Sequence, residues 1–204
     1  MNTKLYLRMG KRAQSGFSLL EVMISISILA VGLLGVLGVF GLAIAANQSS
    51  QADMIARQLA SEAMESIFTA RNTSQLSFSQ INNVSNGGIF ANGASPLLCA
   101  GPTYGIVGVA GDTSSCLTAT GAICPNGGVQ CLSEPGPDGI VGTADDVILS
   151  LSNYTRTITI SPLLDTSGNL IQTLVQVTVT ITYSVPNSPV AKTYVLEEYI
   201  SSYH

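Results

Sequence analysis

Histidine is almost missing from this chain: one occurs, His204, at its end. That leaves no histidine pair for a metal and no internal imidazole for a Ser-His-Asp or Cys-His nucleophile. Gly-x-Ser-x-Gly and phosphate-cradling glycine loops are also missing. No enzyme is expected. Charge is scarce, at 10% of residues against 46% hydrophobic, an apolar balance for a soluble protein. No proline occurs before Pro96, so nothing upstream of it is a built-in helix breaker.

The few charges are unevenly placed. Lys4, Arg8, Lys11 and Arg12 hold half of the eight basic side chains, and no acid lies among them. They precede twenty-five residues, Val22 to Ala46, without a charge. About 20 helical residues cross a hydrocarbon core of roughly 30 Å. The basic flank predicts a cytoplasmic start and export of the chain beyond the apolar run. Beyond residue 16, four basic residues face twelve acids. So acidic a remainder argues against a phosphate-binding surface, and no nucleic-acid partner is expected.

At the start of the apolar run stands Gly16-Phe17-Ser18-Leu19-Leu20-Glu21. A secretory signal would be cut after its apolar stretch. Here the candidate cut, between Gly16 and Phe17, precedes it, and the anchor would stay on the mature chain. This arrangement resembles the class III signal of type IV prepilins: a basic leader, Gly, Phe, then a lone Glu as fifth mature residue. The resemblance implies cutting by prepilin peptidase on the cytoplasmic face and methylation of the new Phe17 amine. It gives Glu21 an assembly role. An acid within a membrane segment is costly and is a functional candidate by default. Its partner is either the Phe17 ammonium of the same chain or that of a neighbouring subunit. The alternative is an acid at headgroup level of an ordinary anchor.

The helix does not stop at Ala46. Ala52, Ile55, Ala56, Leu59, Ala60, Ala63 and Ile67 recur at three- and four-residue steps, one apolar stripe of an amphipathic helix. A helix from Phe17 to Thr69 or Arg71 would measure about 80 Å. Its first half suits lipid or a filament core, and its second half should lie on a globular head. Gly32, Gly35, Gly38 and Gly41 weaken the helix yet permit close approach of another. Whether they unwind during assembly is open, and full amide protection across 32–41 in the filament would exclude it. The layout is that of pilins, though many major pilins carry a proline here. Val31 to Gly35 and Gln58 to Glu65 look most like PilV-type minor pilins.

From Asn72 to Ser152 the composition turns to Ser, Asn, Gly, Thr and Pro, a loop-rich insertion. It holds the four cysteines, Cys99, Cys116, Cys124 and Cys131. In an exported domain these read as two disulfides. Zinc is disfavoured by the missing Cys-x-x-Cys and histidines. Three pairings are possible; sequential local loops, Cys99–Cys116 and Cys124–Cys131, are favoured. Between Pro135 and Val147, three carboxylates flank two glycines. The segment Asp-Gly-x-x-Gly-Thr-x-Asp-Asp resembles calcium loops of exported bacterial proteins, which implies Asp138, Asp145 and Asp146 as ligands. Calcium favours such oxygen-rich loops; a solvated acidic turn is the plain alternative.

Two alternating segments, 154–160 and 170–184, predict strands with one buried face. A third is expected over 190–200, with turns at 165–169 and 186–189. The expected fold is therefore α+β: a long N-terminal helical spine packed on a C-terminal antiparallel sheet, with a disulfide-containing insertion. The segments are a leader (1–16), the helix (17–71), the loop-rich region (72–152) and the sheet (153–204). The expected role is a minor pilin, single-pass in the inner membrane with a periplasmic head. The expected partners are prepilin peptidase, other pilin subunits and the membrane. The alternatives are a minor pseudopilin of type II secretion and a calcium-dependent adhesin on a pilin anchor.

Overall fold

A computed structural model describes residues 16, 18–185 and 190–203. The chain divides into two compact units, Met1–Ile44 and Ala45–His204. One helix, α1 (Leu19–Asn72), enters both. In the first unit its large apolar side chains, from Leu19 to Ile44, are exposed. The start expected at Phe17 lies outside the described residues, and the helix runs one residue past Arg71.

The second unit is built on the stripe that the periodicity marks. Ala52, Ile55, Ala56, Leu59, Ala60, Ala63 and Ile67 are all buried, joined by Met64 and Ala70. Burying each large member contributes roughly 1.5–3 kcal/mol. The alanines have little bulk, so sheet side chains approach the helix closely.

The sheet is antiparallel, in the order β1-β4-β5-β6. Its strands are β1 (Ala94–Pro96), β4 (Tyr154–Leu164), β5 (Leu170–Tyr183) and β6 (Lys192–Ser201). A separate two-stranded ribbon joins β2 (Cys131–Glu134) to β3 (Val147–Ser150). The three expected strands are present, with β4 four residues longer at its end than the alternation alone marked. Ile158 faces Val179 and Ile160 faces Val177 across β4 and β5, and all four are buried against the helix stripe. The β4–β5 register shifts between Pro162 and Leu163, where proline offers no N–H to the ladder. The Asp165–Asn169 turn closes on Asp165 Oδ1, which accepts the Ser167 and Asn169 amides at 2.8 Å each.

The insertion also supplies the fourth strand, which its composition did not reveal. β1 is three residues long and covers only Thr155 to Thr157 of β4. Past that point one side chain takes over. Asn83 Nδ2 donates to the Ile158 carbonyl at 2.8 Å, and its Oδ1 accepts the Ile160 amide at 2.9 Å. A third bond, to the Ala91 carbonyl at 3.1 Å, fixes the amide. Asn83 thus extends the covering of the β4 edge by one dipeptide.

Candidate functional site

The N-terminal helix is the first candidate. Gly16 is exposed, and Phe17 lies outside the described residues. The Ser18 carbonyl accepts the amides of Glu21 and Val22 at 3.0 and 3.2 Å, which opens the helix. Glu21 therefore sits in the first turn, where the unpaired amides make a carboxylate favourable. The apolar run also contains hydroxyls, and these are satisfied within it. Ser25 Oγ donates to the Glu21 carbonyl at 2.7 Å and Ser27 Oγ to the Met23 carbonyl at 2.8 Å. Back-bonding of this kind lets serine enter a hydrocarbon layer without an open donor. Among the described residues α1 is the one helix long and apolar enough to cross a membrane, which fits a single-pass anchor. A Cβ added at Gly32, Gly35, Gly38 or Gly41 would touch nothing. Packing among the described residues does not require these glycines.

The second candidate is the stapled insertion. Disulfides join Cys99 to Cys116 and Cys124 to Cys131, with Cα atoms 5.1 and 5.8 Å apart. Backbone bonds knit the same loops together: Cys124 N to Cys116 O at 2.7 Å, Cys116 N to Gly128 O at 2.8 Å, and Gln130 N to Leu97 O at 2.7 Å. At Gly108 two constraints coincide. Its φ is +82°, and a Cβ would meet Ile158 Cδ1 at 2.5 Å; only glycine suits both.

The acidic loop connects β2 to β3. Asp138 Oδ1 accepts the Ile140 amide at 2.8 Å, and Asp146 Oδ2 accepts the Gly142 amide at 2.7 Å. Thr143 Oγ1 donates to Asp145 Oδ1 at 2.7 Å, and this bond is the main reason the Asp145 carboxyl stays below the usual carboxylate range. The oxygens suit a hard cation in type, but each carboxylate is turned onto the loop's own donors. Among the described residues no group of three His, Cys, Asp or Glu side chains is placed to hold a metal.

The third feature was not singled out from the sequence. Arg57, Arg71, Arg156 and Lys192 are the four basic residues beyond residue 16, and every one is turned inward or engaged. Lys192 Nζ lies 3.1 Å from Asp53 Oδ1 and 2.8 Å from Ser49 Oγ. The Tyr183 hydroxyl donates to the same carboxylate at 2.7 Å. That bond, then the one from Lys192, holds the Asp53 carboxyl below its usual value. Burial, then the Asp53 bond, pushes the Tyr183 phenol up to about 12. Arg57 lies over the Tyr194 ring, 5.5 Å from its centroid. Arg71 is buried and donates to the Tyr203 carbonyl at 2.6 Å. Arg156 is 1% exposed and donates from Nη2 to the Leu98 carbonyl at 3.2 Å. Its Nε and Nη1 have no partner among the described residues, and burial lowers its pKa to about 10. The alternation Tyr154, Arg156, Ile158, Ile160 did place Arg156 on the buried face. The pairing of Asp53 with Lys192 carries no sequence signal, because 139 positions separate the two.

A family model described as the prokaryotic N-terminal methylation motif matches residues 11–37. The match takes in Lys11 and Arg12 of the basic flank, the Gly16–Phe17 pair, Glu21 and the start of the apolar helix. No curated protein and no solved structure matches the chain significantly. The chain thus carries a prepilin-type methylation signal leading into a single long apolar helix, features consistent with type IV pilin-like proteins in general.

Proposed function

We propose that the chain is a minor subunit of a type IV pilus. It is inserted in the inner membrane, cut after Gly16, methylated on Phe17, and drawn through α1 into the filament or its priming complex. One observation carries this reading. The methylation motif runs without a break into an exposed apolar helix whose only charge up to Ala46 is Glu21.

Cleavage leaves an ammonium on Phe17. At about 4 Å and an effective dielectric near 20, a Glu21–ammonium pair attracts by about 4 kcal/mol before desolvation. Desolvation removes much of that gain. The pair therefore sets register between helices more than it adds stability. The test is Glu21→Ala at unchanged expression, with the subunit quantified in sheared filaments. Incorporation should fall severalfold; normal incorporation refutes the role. A minor pseudopilin of type II secretion shares the signal and the anchor. Loss of protein secretion with intact surface pili on deletion would favour that alternative.

Calcium at the acidic loop belongs to the same proposal as a display function for the head. Its support is the trio Asp138, Asp145 and Asp146 within a nine-residue span, the first two exposed and Asp146 half-buried. Binding would require the carboxylates to leave the loop's amides. Calorimetric titration should give heat that Asp145→Asn abolishes, and no heat at millimolar calcium ends this part.

A further inference from the structure

We infer that the free edge of β6 is a docking site for an extended, basic segment of a partner protein, added to the sheet as a fifth strand. The inference concerns the head alone and stands apart from the filament reading.

The two edges of the sheet are treated differently. The β4 edge is closed by β1 and then by the Asn83 amide. On β6, no donor or acceptor outside the sheet meets the backbone of residues 192–201 among the described residues. In an antiparallel strand of ten residues, about five direct their N–H and C=O outward. Edges left open are normally guarded by proline, a bulge or an outward lysine. β6 has no proline, and its ten pairs with β5 run without a register shift. Its single lysine, Lys192, is held by Asp53 and Ser49. Among the described residues the edge is long, regular and unguarded by a cation.

Charge identifies the occupant. Glu197 and Glu198 are consecutive and exposed, so they stand on opposite faces of the strand. Glu197 accepts only the neutral Gln176 amide, at 3.0 Å. The single ion pair found among the described residues is Lys192–Asp53. Since all four cations beyond residue 16 are committed elsewhere, these two carboxylates lack a basic neighbour among the described residues. An incoming strand with two successive Lys or Arg residues would place one cation beside each. Val195 and Tyr199, 48% and 55% exposed, flank Glu197 on its face and fit β-branched or aromatic neighbours. A second copy fits poorly. Antiparallel β6–β6 pairing about the strand centre brings four carboxylates onto one seam, and like charges across a ladder are destabilising.

The experiment uses the full chain in detergent micelles, with amide exchange read along residues 192–201. The probe is an eight-residue peptide of alternating Thr and Val carrying two central lysines. Controls replace the lysines by glutamates, or N-methylate every second amide on one edge. The lysine peptide should slow exchange in β6 and bind about tenfold more tightly than the glutamate peptide, as two cross-strand ion pairs allow. Glu197→Lys with Glu198→Lys, checked for fold by circular dichroism, should reverse that preference. N-methylation on the pairing edge should abolish binding. Unchanged exchange at millimolar peptide, or equal binding of the methylated peptide, overturns the inference. Concentration-dependent protection without peptide would also overturn it, making a second copy the occupant.

Discussion

Replacing Arg156 by methionine should stabilise the head. The side chain is 1% exposed, with one bond of 3.2 Å to the Leu98 carbonyl and two nitrogens without partners among the described residues. Burial lowers its pKa from 12.5 to about 10, which corresponds to about 3 kcal/mol against the charged form. The bond to Leu98 returns roughly 1.5–3 kcal/mol, as bonds from charged donors do. Methionine keeps most of the apolar contact and removes both contributions, and such exchanges are often neutral or stabilising. A gain of about 1 kcal/mol is expected, a rise of roughly 2–4 °C for a domain of this size. Arg156→Ala, which leaves a cavity, should instead lose about 2 kcal/mol. Urea titration followed by near-ultraviolet dichroism, with disulfides intact, measures both. If Arg156→Met lowered stability by about 2 kcal/mol or more, well outside the range for such exchanges, the guanidinium would have to be satisfied by water or by the Glu62 carboxylate, whose charge favours its protonated form. The description of it as an under-paired buried charge would then be wrong.

Two further perturbations test how the head is held together. Asn83→Ala removes three bonds, two of them at the β4 edge, and should cost about 2–4 kcal/mol, since two β4 backbone groups lose their partner; Asn83→Asp keeps the acceptor but not the donor and should be intermediate in urea midpoints. Asp53 has a lowered folded pKa, so its contribution is present above its unfolded value, near 3.8, and fades as pH falls through the folded one. At 41% exposure that contribution is screened to about 0.2–1 kcal/mol. Asp53→Asn should flatten the acid limb of the stability profile by that amount, and an unchanged limb counts against the Asp53–Lys192–Tyr183 cluster.

The legible parts of the fold are those written as periodicity. The three- and four-residue spacing of Ala52 to Ile67 marked the buried stripe residue by residue, and the alternation from Val175 to Tyr183 marked the sheet face. Local chemistry was legible too: Asp165 with Gly168 makes the turn that their order suggests. What the residues did not reveal depends on contacts across long separations. β1 is three ordinary residues, Ala94 to Pro96, recognisable as a strand only against β4. Asn83 looks like any loop asparagine until its amide meets Ile158 and Ile160, 75 and 77 positions away. The acidic loop shows the opposite case. Its residues suggest convergence on a cation, while in the structure each carboxylate is occupied by an amide or hydroxyl of the same loop.

On the proposed reading the apolar anchor survives maturation because the cut precedes it. N-terminal mass spectrometry of the chain recovered from membranes measures this directly. The first residue should be N-methylated Phe17, with Glu21 fifth. A chain still beginning at Met1, or one cut beyond Ala46, would contradict it.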